Sequence, residues 1–338
     1  MKKGKITMGT VQEGARSAVK ICMGVTRQDK VLIVSDIAQQ TVGKALGQAA
    51  QEIVGENVKL FILEDYAQRP LKELPREILD SVPWATVTFW AASSLPGELT
   101  ARGPFIRLAI KNARHGHMPN ITTLLMEQGM CADYEAVYNL THKIHDIVKN
   151  ANKIEIENPK GAKIVSEFEK SWRWMPSDGK YHEKGKWGNL PEGETFTAPK
   201  SVNGHFVTNL LGDWFSEKYG NFNDPLSFDV IDSRIDFLSI RCNNSKLRGE
   251  ITEYLRTDEN SNRSSEFALP TNPLLISLPT VGNLLQDEKA RPHIAFGNPY
   301  PDETGANWTS KTHVDMLLEQ CNVTVDGRRI MEKGNYVV

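Results

Sequence analysis

The sequence predicts an α/β N-terminal domain with a mostly parallel sheet over residues 1–150, followed by an α+β C-terminal domain over residues 151–338. Two observations carry this expectation. Short β-branched runs alternate with helix-spaced stretches through the first part, and after it the chain turns to ribbon-like strands joined by Gly, Pro and Asn turns. A length of 338 residues is enough for two domains of ordinary size.

Taken in order, KVLIVSD (30–36) reads as a strand, and IAQQTVGKALGQAAQEIV after it has helical spacing and good helix formers. NVKLFIL (57–63) reads as a strand and PLKELPREILDSV as a helix. ATVTFWAA (85–92) reads again as a strand, FIRLAIKNARHG as a helix and ITTLLM (121–126) as a strand. A helix around DYEAVYNLTHKIHDIVKN closes the series. Alternation of this kind implies right-handed crossovers and a parallel sheet covered on both faces. Beyond residue 150, KIEIENPKGAKIVSEFEKSWRW and SFDVIDSRIDFLSIRCNN read as β ribbons. A cleft between two such domains is where a small-molecule site is expected. No GxGxxG or Walker A loop follows the first strand, so a nucleotide site has no local support.

Bulk composition narrows the function classes. Forty basic residues stand against forty-two acidic ones, a net charge of −2. That balance lacks the positive field on which nucleic-acid or membrane-surface binding rests, so neither partner is expected. No apolar stretch follows the basic start MKKGKITMGTVQEG, and no run of about 18 apolar residues occurs. Cys22, Cys131, Cys242 and Cys321 are far apart without CxxC spacing, and read as thiols of a reducing compartment. The cytoplasm is the expected location.

The chemistry concentrates in DEKARPHIAFGNPYPDETGANWTSKTHVDM (287–316). In a strand, residues i and i+2 share a face, so His313 and Asp315 converge on one point. His293 opens the strand-like HIAFG, and a Gly-, Pro- and Asn-rich loop allows the chain to return from it to His313. A buried imidazole needs partners for both ring nitrogens, and a divalent ion supplies one. Upstream, NLPEGETFTAP and NRSSEFALPTNP place acids beside strand-like runs, where a carboxylate without a partner is unfavourable. In the first segment periodicity leaves Glu192 and Glu194 as competing choices. In the second the acid is Glu266. Of the other histidines, His115 and His117 read as charges at a helix C-terminus, and His142 and His145 as a solvent-facing pair one helical turn apart.

GNLPEGETFTAP, SSEFALPTNP, LLQDEKARPHIAFGNPY and NWTSKTHVD, in that order, resemble the signature segments of the thermophilic aminopeptidase family (aminopeptidases T and S). The likeness is clear over about residues 150–325 and thin before them. It implies that Glu194, not Glu192, is a metal ligand, together with Glu266, His293, His313 and Asp315, and that Tyr300 is the family's catalytic tyrosine. It implies two divalent ions, with zinc, cobalt and manganese all suited to mixed nitrogen and oxygen ligation. The activity implied is hydrolysis of N-terminal residues from peptides, with Glu266 as ligand, base or both, and with the chain pairing as a homodimer. The sequence departs from the family in a compact GNPYPDETGAN segment (297–307) and in Val314, where a tryptophan is typical.

A second reading comes from His293, His313 and Asp315 alone. Two histidines and a carboxylate form the facial set of mononuclear Fe(II) enzymes. The 2,5-dihydroxypyridine 5,6-dioxygenases, distant relatives of the aminopeptidases, use this kind of triad. Glu194 and Glu266 weigh for the peptidase, because a single iron does not need both.

Overall fold

A computed structural model describes residues 8–95 and 97–338. The chain divides into two compact units, one formed by residues up to Tyr138 with Gly179–Glu192, the other by Asn139–Asp178 with Gly193–Val338.

The first unit is built on a parallel sheet. Its strand order is Val58–Ile62, Val31–Ser35, Val87–Ala91, Arg114–His117 and Trp187–Asn189. Val31–Ser35 and Val87–Ala91 are buried along their whole length, which is why both read as continuous apolar runs. The helix Gln40–Val54 lays Val42, Ala45, Leu46, Ala49, Ala50 and Val54 inward. A side chain at Gly43 would meet Ser35, so the close helix–strand approach requires glycine there. Residues 179–192, which the sequence assigns to the second domain, supply this sheet with its Trp187–Asn189 strand.

Three expected elements differ. ITTLLM is not a strand: Thr123–Glu127 is a helix, started by the Thr122 hydroxyl accepting from the Leu125 amide. The expected long helix over PLKELPREILDSV is confined to Arg76–Ser81, followed by a short 3-10 turn. The helix expected through FIRLAIKNARHG runs from Leu99 and stops at Asn112, and Arg114–His117 is a buried strand. His115 and His117 are therefore not charges at a helix end. His115 Nδ1 lies 2.9 Å from the Thr88 hydroxyl, and burial pulls its pKa down to about 3, so it is neutral. Arg114 reaches Asp29 at 2.9 Å and donates to the Met23 carbonyl, which makes a polar strand tolerable in the interior.

The second unit holds two antiparallel sheets. An eight-stranded sheet runs Arg234–Ile235, Leu226–Ile231, Ser201–Thr208, Lys163–Glu167, Lys153–Glu157, Asn322–Val325, Arg328–Glu332 and Asn335–Tyr336. A five-stranded sheet runs His313–Leu317, His293–Gly297, Ser264–Pro270, Glu194–Thr197 and Met175–Ser177. One apolar core joins them. Phe206 and Phe228 stack at 5.0 Å and meet Phe296 of the smaller sheet edge-on, while Phe168 meets Phe267 at 5.2 Å. Phe267, Leu269, Ile294, Phe296, Val314 and Met316 all belong to this core. With a side-chain period of two, the residues between them project from the other face of the smaller sheet. Cys22, Cys242 and Cys321 are buried free thiols, and Cys131 is half-buried.

Candidate metal centre

The alternate residues of the smaller sheet are the ones singled out in the sequence. Register pairs Pro270 with Glu194, Ala295 with both Glu266 and Asp315, and Gly297 with His313. Ala295 and Gly297, with almost no side chain, leave space between the acids and the imidazoles around them. His293 follows on the same face, two residues before Ala295.

All five predicted ligand side chains converge. His293 Nε2 lies 3.6 Å from Glu194 Oε2, 3.5 Å from Glu266 Oε1 and 3.9 Å from Asp315 Oδ1. His313 Nε2 lies 3.5 Å from Glu266 Oε2 and 3.4 Å from Asp315 Oδ1. Glu266 thus turns one oxygen to each imidazole. Tyr300 is present too, with its ring centroid 4.7 Å from that of His313. Its backbone is left-handed at φ 51°, a strained state for a non-glycine residue that places the ring beside the cluster. Glu192 belongs to the first unit, where its carboxylate accepts from the Tyr181 hydroxyl at 3.1 Å. His142 is not a purely solvent-facing group, since it pairs with Asp178 at 3.0 Å.

These residues fit a divalent cation. His293 Nδ1 faces the Arg291 carbonyl at 3.1 Å and His313 Nδ1 faces the Asn298 carbonyl at 2.8 Å. A ring nitrogen opposite a carbonyl oxygen must be the donor, so each neutral ring offers its Nε2 lone pair to the carboxylates. Lone pairs facing carboxylate oxygens repel unless a positive charge lies between. Glu194 Oε2 is buried without a hydrogen-bond donor among the described residues. Glu194, Glu266 and His293 offer ligand atoms that all lie within 4.8 Å of one another.

The electrostatics express the same need. Burial pulls the His293 pKa down, but Glu266, Glu194 and Asp315 outweigh it and raise it to about 10. For His313, burial again opposes and Asp315 with Glu266 prevails, giving about 9. Asp315 is driven the other way, its burial overcome by both imidazoles, to about 2. The cluster takes up positive charge, as protons or as metal. Burial first, then the charges of Glu266 and Asp315, holds the Tyr300 phenol well above its usual range, although the residue as a whole is 41% exposed. Tyr300 is consequently a hydrogen-bond donor at neutral pH.

Residues 85–337 match the thermophilic metalloprotease (M29) family. The chain belongs to that family. The fold of this M29 protein is shared with two solved structures. Wild-type AmpT from Thermus thermophilus has a TM-score of 0.71 at 17% identity, covering 97% of this chain and 99% of that one. The 2,5-dihydroxypyridine dioxygenase from Pseudomonas putida KT2440 also has 0.71, at 15% identity, covering 97% of each chain. No curated protein matches the M29 chain.

Sequence reasoning missed four contributors. Asp287, Glu288 and Lys289 carry no assigned role in the sequence, yet all are buried. Asp287 accepts from the amides of Val281, Gly282 and Asn283 and shapes a loop. Lys289 donates to Glu194 Oε1 at 2.5 Å and lies 2.9 Å from Glu288 Oε1. Burial pushes the Glu288 carboxyl up to about 8 against the opposing pull of Lys289. Gly212 is the fourth. Its amide donates to the Asp315 carbonyl, and an added Cβ would lie 2.4 Å from Asp315 Oδ2 and 2.8 Å from the Asp315 nitrogen. Gly212→Ala must therefore displace the Asp315 carboxylate. Equilibrium dialysis should show divalent-ion affinity reduced by about 10- to 100-fold.

Proposed function

We propose that this metalloprotease is an aminopeptidase that removes N-terminal residues from peptides, with two divalent ions held by Glu194, Glu266, His293, His313 and Asp315. The observation that carries the reading is the division of Glu266 between the two imidazoles, one oxygen toward each. A carboxylate so placed suits a bridge between two ions, and one iron would not require it alongside Glu194. The likeness in fold to a dioxygenase and to AmpT is equal, so the choice rests on residues.

Held by these residues, divalent ions would supply Lewis acidity toward a scissile carbonyl and a water ionised near neutral pH. Glu266 is the base that takes the water proton and passes it to the leaving amine. Backbone carbonyls of Arg291 and Asn298 keep both imidazoles in the Nδ1–H form, with Nε2 toward the reaction. The Tyr300 phenol, still protonated, donates to the oxyanion of the tetrahedral intermediate. Tyr300→Phe should lower kcat by about 10²- to 10³-fold with KM little changed, the usual cost of losing one oxyanion donor. A wild-type kcat in that variant would remove Tyr300 from the chemistry.

The decisive experiment compares two activities on one preparation. Saturated with zinc, cobalt or manganese, the protein should hold two ions per chain. It should release amine from aminoacyl anilides with a free α-amino group and leave their N-acetylated counterparts intact. A single iron with oxygen uptake on 2,5-dihydroxypyridine, and no peptide cleavage, would overturn the proposal in favour of the mononuclear dioxygenase.

A further inference from the structure

The centre already contains a cation of its own. Lys289 is 1% exposed, and its ammonium lies between Glu194 Oε1 and Glu288 Oε1. Glu194 is thereby divided. One oxygen is held by Lys289, and the other, Oε2, is turned toward His293 without a hydrogen-bond donor among the described residues. Glu266, His313 and Asp315 form the other end of the cluster, where the close contacts join imidazole nitrogens to carboxylate oxygens. The two ends therefore differ in charge before any metal arrives.

We propose that the Lys289 ammonium makes the centre load unequally: one divalent ion binds tightly at the His313 end, and the ion at the Glu194 end binds weakly because it competes with Lys289. The inference rests on the two-ion reading above and names the residue that sets the order of filling. An ion entering at Glu194 meets a carboxylate whose charge is already partly neutralised. It also sits close to a fixed positive charge in a site with little water to screen it. The first ion, at the far end, is met by the Glu266 and Asp315 carboxylates and the His313 imidazole, whereas the Lys289 ammonium lies against Glu194 and Glu288. The weak end can thus empty and fill over a range of metal concentration in which the tight end stays full.

The test is a binding isotherm of metal-stripped protein with cobalt(II), read by dialysis with metal analysis and by the cobalt absorption spectrum. Wild type should show two separated steps. Glu194→Gln should erase the weaker step and keep the tighter one. Lys289→Met should move the weaker step to cobalt concentrations lower by about tenfold or more, and Lys289→Arg, which keeps the charge, should stay near wild type. A single wild-type step that becomes two in Lys289→Met also supports the inference. Two equal wild-type steps, or an unmoved second step in Lys289→Met, would overturn it while leaving the two-ion peptidase intact. Should Lys289→Met fail to fold, the wild-type and Lys289→Arg isotherms still decide, because equal steps in either defeat the idea. No cobalt bound by wild type would bring down the metal centre itself.

Discussion

Glu266→Ala is expected to lose aminoacyl-anilide hydrolysis by about 10³-fold or more, with the fold retained. Glu266 lies within the Ser264–Pro270 strand, paired with Ala295 of the neighbouring strand, and its side chain leaves the sheet on the face opposite Phe267 and Leu269. Truncation therefore removes no core contact. What it removes is the carboxylate that addresses both imidazoles, so a shared ligand and the proposed base disappear together. Near-UV circular dichroism should be unchanged, while kcat/KM collapses and dialysis shows weaker metal retention. The division of the loss is informative. If metal content is normal and only kcat falls, Glu266 acts as base alone; if metal is lost as well, it is also a ligand. A variant with wild-type kcat/KM would strike Glu266 from the mechanism altogether.

The legible part of this protein is the part in which chemistry and periodicity agree. Val31–Ser35, Val87–Ala91 and His293–Gly297 are continuous apolar or alternating runs, and each is a strand. His313 and Asp315 could be paired from the sequence because a strand returns to the same face every second residue. Where a short apolar run satisfied both periods, the reading failed. ITTLLM holds β-branched residues, but the Thr122 cap commits Thr123–Glu127 to a helix. Arg114–His117 escaped for the opposite reason: a strand of Arg, His, Gly and His has no apolar signal, and its burial depends on Asp29 and Thr88, distant in sequence. Lys289 and Gly212 were invisible on the same ground. A charged run is ordinarily solvated, and a glycine in LLGDW gives no sign that a carboxylate will pack on its Cα. Neither becomes informative until Glu194 and Asp315 have been placed.

Metal-free protein should lose stability as pH rises from about 6.5 to 10, and metal should cancel that loss. The sign follows from the imidazoles. His293 and His313 titrate at about 10 and 9 in the folded chain, against an ordinary value near 6.5 in the unfolded chain. Below about 6.5 both states are protonated and the favourable pairing with Glu266 and Asp315 is fully present. Between the two values only the folded state holds the protons, so each step upward in pH favours unfolding, until the contribution is gone above 10. Asp315, depressed to about 2, adds stability that persists above the usual carboxylate range and disappears only as pH falls through about 2. The histidine contribution at stake is on the order of a few kcal/mol for so buried a cluster. Urea unfolding of chelator-stripped protein at pH 6, 8 and 10 should show a falling midpoint. In excess zinc the trend should flatten or reverse, because a divalent ion takes the place of those protons and binds more tightly as they leave. A metal-free midpoint that stayed level across this range would mean that the imidazoles do not meet the carboxylates as described, and the metal centre would lose its electrostatic basis.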